Sequence, residues 1–159
     1  MPTIKKKHIG DQQYGGAARF GNVTTLRATL QTTAAGAAIN SDSTTAIAVA
    51  DVVVLEKLPQ GFLLEDAQVI VSKAFPASVT GSLGFIYIDG VDSTEVPQDA
   101  AYFGAGLALS ALARLRTTSP KAPVSLAKEA YLVLTIAGAA INAAAQLDVI
   151  VHGERMGPK

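Results

Sequence analysis

The chain has no cysteine and no tryptophan, and only two histidines among 159 residues. Without cysteine there is no disulfide framework, no thiolate nucleophile and no cysteine-based zinc site. Charged residues make up only 16% of the chain, against a usual share of roughly 25%. A surface so poor in charge suggests that part of it is covered by partners. No apolar run approaches the ~20 residues that span a bilayer. The longest, residues 130–145, is broken by Thr135 and Asn142 and is dominated by alanine and glycine. The first residues, MPTIKKKHIGDQQYGG, lack the apolar segment of a secretory signal. A soluble chain with no membrane partner is the expectation.

Catalytic signatures are equally scarce. No Gly-x-Ser-x-Gly elbow, phosphate loop or His-Glu-x-x-His motif occurs. Gly104-Ala105-Gly106 lacks the third glycine and the preceding strand of a dinucleotide site. Glu65 and Asp66 are adjacent, so in a strand they point to opposite faces and cannot share a substrate. His8 lies near the start, and His152 shares its parity with Asp148 and Ile150 on an outward face. We expect no enzyme and no cofactor.

What is present is β-patterning. Residues 44–73, TTAIAVADVVVLEKLPQGFLLEDAQVIVSK, organise the chain. Ile47, Val49, Val53 and Leu55 share one parity, and Leu63, Ala67, Val69 and Val71 share a register after Pro59-Gln60-Gly61. β-branched residues suit a pleated, half-buried surface. Proline and glycine supply the turn, with glycine at positive φ. The expectation is a long antiparallel hairpin covered by another sheet.

Further strands are expected over residues 22–32, 83–89, from Tyr131 to 136, and 146–153, the last with Leu147, Val149 and Val151 inward. The first of these should be half exposed or an edge strand. Residues 99–116 are ambiguous. Leu109, Leu112 and Leu115 have helical spacing, whereas Gly104 and Gly106 oppose a long helix, so one or two helical turns and then an extended piece are expected. Val53, Leu55, Val69, Val71, Ile86, Val133 and Val149 are the expected core. Six or seven strands with long crossings indicate an all-β antiparallel sandwich of jelly-roll or Greek-key type.

The domain plan follows. Residues 1–21 read as an extended basic N-terminal arm that adds little to the fold, 22–155 as the sandwich and 156–159 as a short tail. Residues 1–30 carry Lys5, Lys6, Lys7, Arg19 and Arg27 against Asp11, whereas residues 31–100 carry nine acids against Lys57 and Lys73. The arm is either a solvated terminus or a reach towards a complementary surface. Its lysines have no aromatic stacking platform beside them, so no nucleic-acid partner is expected. Asp89, Asp92, Glu95 and Asp99 crowd one acidic loop, but the spacing does not match an EF-hand, so no metal is expected. A solvated loop, or one facing a basic partner, is the preferred reading. Candidate contacts to partners are Lys5, Lys6, Lys7, Arg19, Asp89, Asp92 and Glu95.

Three stretches carry a resemblance to a known family: VVVLEKLPQGFLLEDAQVIVS, GFIYIDGVDS and AKEAYLVLTIAGAAINAAAQLDVIVHGE. Together they resemble the head decoration (cement) proteins of tailed bacteriophages, over about residues 44–154. The resemblance implies a jelly-roll-like sandwich on the outer surface of the virion capsid that bridges subunits of the major capsid protein. It also implies a homodimer or homotrimer. A receptor- or carbohydrate-binding sandwich of a virion fibre, and a tail or connector subunit, are the competing readings.

Overall fold

The computed structural model describes residues 3–5 and 23–157, which form ten strands and no helix. In one sheet the order is β1 (Thr3–Lys5), β3 (Val52–Leu58), β9 (Ala130–Ala137), β5 (Thr80–Tyr87) and β6 (Asp99–Ala108). In the other it is β2 (Val23–Gln31), β10 (Gln146–Arg155), β4 (Phe62–Lys73) and β7 (Ala113–Arg116), with β8 (Val124–Ser125) also on β4. Every pairing is antiparallel except β1 with β3. The chain is an all-β sandwich. Consecutive strands alternate between the sheets for much of the chain, β2-β10-β4-β7 in one and β3-β9-β5-β6 in the other.

Period-two alternation sets the inner faces. Leu26, Ala28 and Leu30 of β2, Ala67, Val69 and Val71 of β4, and Leu147, Val149 and Val151 of β10 all point inward. Leu83, Phe85 and Tyr87 of β5 meet them from the opposite sheet with Leu132, Leu134 and Ile136 of β9. Phe85, Tyr102 and Phe103 stack edge to face, with centroids 5.6 and 4.9 Å apart. Such pairs add to the ~1.5–3 kcal/mol of each large buried side chain. As expected, β2 lies at a sheet edge with Arg27 outward.

Several expectations are corrected. The strands around Pro59-Gln60-Gly61 are not a hairpin: β3 and β4 belong to opposite sheets. Gly61 does have a positive φ of 69°. The turn's backbone groups bond elsewhere: Gly61 N donates to Leu126 O (2.8 Å), and Met156 N donates to Gly61 O (2.9 Å). Leu126 N in turn donates to Phe62 O (3.0 Å). With the ladder taken by residues 126 and 156, the turn carries the chain across the core. Gly61→Val is expected to cost about 1–2 kcal/mol, because a β-branched residue is strained at positive φ. A urea melt at wild-type midpoint would contradict this.

The strand also begins later than the alternation suggests. Asp51 is buried, and its Oδ2 accepts from Ala48 N (2.9 Å), while Ala50 sits at φ 71°. This closes a turn that buries Ile47 and leaves Val49 exposed. Residues 99–116 contain no helix but β6, a turn and β7. Leu109 is fully buried and Leu112 is 70% exposed, so the three leucines share no face. Glycine's poor helix propensity and the pairing of β6 with β5 outweigh the spacing.

Two core assignments also change. Ile86 is only half-buried and pairs with Tyr131 on the outward face, because Phe85 and Tyr87 take the inner one. Val133 is buried, but opposite Gly84 and Val54 on that outward face rather than between the sheets.

Thr3–Lys5 depart from the arm reading. Ile4 is 2% exposed and joins the core opposite Val53. Lys5 and Asp42 lock this strand with two bonds of 2.9 Å, Lys5 N to Asp42 Oδ1 and Asp42 N to Lys5 O. Burying one isoleucine is worth far more than an exposed terminus could contribute, so these residues belong to the sandwich.

Candidate functional site

The acidic loop between β5 and β6 is a built structure. Gly90, at φ 70°, turns the chain, and Asp89 Oδ1 accepts from Val91 N (3.0 Å). Asp92 Oδ1 accepts from both Ser93 N (2.8 Å) and Gln98 N (2.7 Å), closing the loop on itself. Tyr87 donates its hydroxyl to Val96 O (2.5 Å), and Gln98 Oε1 accepts from Tyr87 N (3.1 Å). These bonds tie the loop to the last residue of β5.

Lysines distant in sequence answer two of its carboxylates. Lys128 Nζ donates to Asp89 Oδ2 (2.9 Å) and to Val91 O (3.2 Å), and lies 5.6 Å from the Tyr87 ring centroid. Lys121 pairs with Asp99, whose Oδ1 accepts from Ala101 N (2.9 Å). Neither lysine was a candidate at the level of sequence. Both lie more than twenty residues from their carboxylates, and no local pattern marks such a meeting. Asp89 and Asp99 are therefore engaged with ammonium groups, not converging on a cation position.

Between this loop and residues 121–124 lies a cleft of about 440 Å³. Phe85 and Tyr102 form its floor, and Val96, Pro97 and Val124 its walls. Tyr102 is fixed by donation to Ala122 O (2.8 Å) and Leu64 O (3.3 Å). Glu95, Asp99 and Lys121 lie at the mouth. Burial raises the Tyr102 and Tyr87 hydroxyls above the ordinary tyrosine range, so both remain donors.

The other sequence candidates do not converge here. Lys5 ends β1, with its Nζ 5.5 Å from the Tyr131 ring centroid. Lys6, Lys7, Arg19 and His8 lie outside the described residues. His152 is on the outward face of β10, its Nδ1 3.3 Å from Thr25 Oγ1. A second polar cluster joins Asp66 to Arg116 and to the Thr117 hydroxyl, which donates at 2.8 Å.

These carboxylates give the fold an acid-labile component. The Lys128 ammonium holds Asp89 below the usual carboxylate range. Burial pushes Asp99 up, but Lys121 and the Ala101 N–H outweigh it and the net shift is downward. Asp66 behaves likewise, with Thr117, Arg116 and the Ala67 N–H overcoming burial. A depressed carboxyl binds protons more weakly in the folded state than in the unfolded one. Its stabilisation is complete above the unfolded carboxylate pKa of about 4 and is lost as pH falls through the lower folded value. The melting temperature is expected to be level above about pH 5 and to fall below about pH 4. A melting temperature that rises on acidification through this range would contradict the assignment.

No protein-family model and no curated relative matches this chain. Solved structures do resemble it. A chain in the capsid of Ralstonia phage GP4 aligns over 98% of this chain and 99% of its own length, with a TM-score of 0.68 at 15% identity. A chain of the cyanophage Pam1 capsid asymmetric unit aligns over 89% and 90%, with a TM-score of 0.56 at 14% identity. The sandwich is thus similar in fold to chains that occur in two phage capsids.

Proposed function

We propose that this chain is a structural virion protein that binds the outer surface of a phage head and bridges its major capsid protein subunits, stabilising the head. The observation that carries the reading is the end-to-end likeness of fold to a chain in a phage capsid, with neither partner of the alignment leaving a domain over. The architecture suits the role. A rigid two-sheet core supports a surface that is poor in charge, and no step in such a role needs a reactive group. The protein acts as a homodimer or homotrimer, without a cofactor, nucleic acid or membrane. Lys5, Lys6, Lys7 and Arg19 supply adhesion to acidic capsid surface, which salt screens.

The test is cosedimentation of the purified protein with heads that lack it, assembled from the major capsid protein of the same phage. Binding at a stoichiometric ratio, weakened by added salt, is the expected result, with heads that resist heat better when decorated. Failure to cosediment at any salt concentration, or binding to glycans instead, overturns the proposal.

A further inference from the structure

We propose that β1 is exchanged between copies of this chain, so that the slot beside β3 in one copy is filled by Thr3–Lys5 of a second copy. This rests on the homo-oligomer reading above and names the element that joins the protomers.

Three observations carry the inference. The first is that the slot is fully built and selects its occupant. Ile4 is buried opposite Val53, and the exposed Thr3 and Lys5 stand in register with Val52 and Val54. Asp42 brackets Lys5, accepting from Lys5 N at Oδ1 and donating its own N–H to Lys5 O. A Thr-Ile-Lys strand fits this edge, and every copy of the chain carries one. The second is that β1 is separable. Among the described residues β3 is its only strand partner, and theirs is the only parallel pairing. Lifting β1 away breaks no other ladder. The third is the length of chain that follows it. Seventeen residues lie between Lys5 and Val23, where β2 begins. Val23 is paired with Glu154 and so is level with the start of β4, just past the turn that follows Leu58. β2 also approaches β3 across the sandwich. Within one copy the chain has to rise from the level of Val54 to that of Leu58, about 13 Å, and cross about 10 Å to the facing sheet. About eight extended residues cover that path. Seventeen can span up to about 60 Å, against a diameter of roughly 40 Å for a domain of this size. The connection is therefore long enough to set β1 on the same edge of an adjacent copy. The contacts in the slot are the same in either arrangement, so exchange joins copies at little cost.

The chain has no cysteine of its own, so Thr3→Cys/Val52→Cys introduces a single thiol pair at directly opposed residues. Thr3 is exposed and Val52 half-buried, so neither substitution opens the core. The oxidised variant is run on a non-reducing denaturing gel, beside sedimentation of the wild type. A covalent band at two or three times 16.3 kDa, at equal yield across a tenfold dilution and absent from either single variant, supports the exchange. A disulfide at the monomer mass, with an oligomeric wild type, overturns the exchange and leaves the oligomer standing. A wild type that sediments as a monomer removes both. Should the pair stay reduced or the variant unfold, the wild-type protein decides, refolded from an equal mixture of 13C-labelled and unlabelled chains. Isotope-filtered NOEs from the Ile4 methyls of one copy to Val53 of another support the exchange, and NOEs confined within each copy overturn it.

Discussion

Val71→Asp is expected to lower stability by about 3–5 kcal/mol, the range for an uncompensated buried charge. Val71 is 3% exposed on the inner face of β4, opposite Leu147 of β10 and Ala113 of β7. The substitution removes apolar burial and places a carboxylate where no hydrogen-bond donor is positioned to meet it. The backbone N–H groups there are held in the ladders on both sides of the strand. Domains hold together by only about 5–15 kcal/mol, so a large part of the total is at stake. At about 2–4 °C per kcal/mol for a chain of this size, the melting temperature should fall by roughly 6–20 °C. Ser72→Asp, one residue along and exposed, serves as the control and should stay within about 0.5 kcal/mol of wild type. Equal urea midpoints for Val71→Asp and wild type would mean that β4 does not face inward in this register.

The second large effect is expected at Gly84. Its backbone is ordinary, so positive φ is not the reason for glycine there. The constraint is space. A Cβ on Gly84 would lie 2.1 Å from Asp99 O, 2.4 Å from Ala100 C and 2.7 Å from Ala101 N. Between the pairs Leu83–Gly104 and Phe85–Asp99 the register of β5 and β6 shifts, and residues 99–101 pass close over the glycine. Backbone atoms at such distances cannot rotate away as a side chain would. Gly84→Val should therefore force the start of β6 outward and cost ~3 kcal/mol or more, at the upper end of overpacking effects. Asp99 would move with it, so the Lys121 pair and the cleft should be disturbed together. Gly90→Ala offers the contrast, since nothing lies within 4 Å of a Cβ there and only its φ of 70° is unfavourable. Its cost should be ~1 kcal/mol. Thermal melts that rank Gly90→Ala as the more damaging would refute the close approach at Gly84.

What the sequence by itself determined were the properties that depend on near neighbours along the chain. Alternation placed Leu147, Val149 and Val151 inward and His152 outward, because successive side chains of a strand point to opposite faces whatever the partner. The Pro59-Gln60-Gly61 turn and its positive φ were legible for the same reason. The acidic loop was visible too, with Asp89, Asp92 and Glu95 in a stretch closed by Pro97. Only the tertiary structure decided which sheet each strand joins. A short turn between two apolar strands fits a hairpin and an inter-sheet crossing equally well until residues 126 and 156 take its hydrogen bonds. The same holds for Ile4, whose place in the core depends on a parallel partner nearly fifty residues away. It holds again for the cleft, where Lys121 and Lys128 reach Asp99 and Asp89 from 22 and 39 residues away. Periodicity records which face of a strand is buried, but the energy that selects its neighbour is released only when distant segments meet.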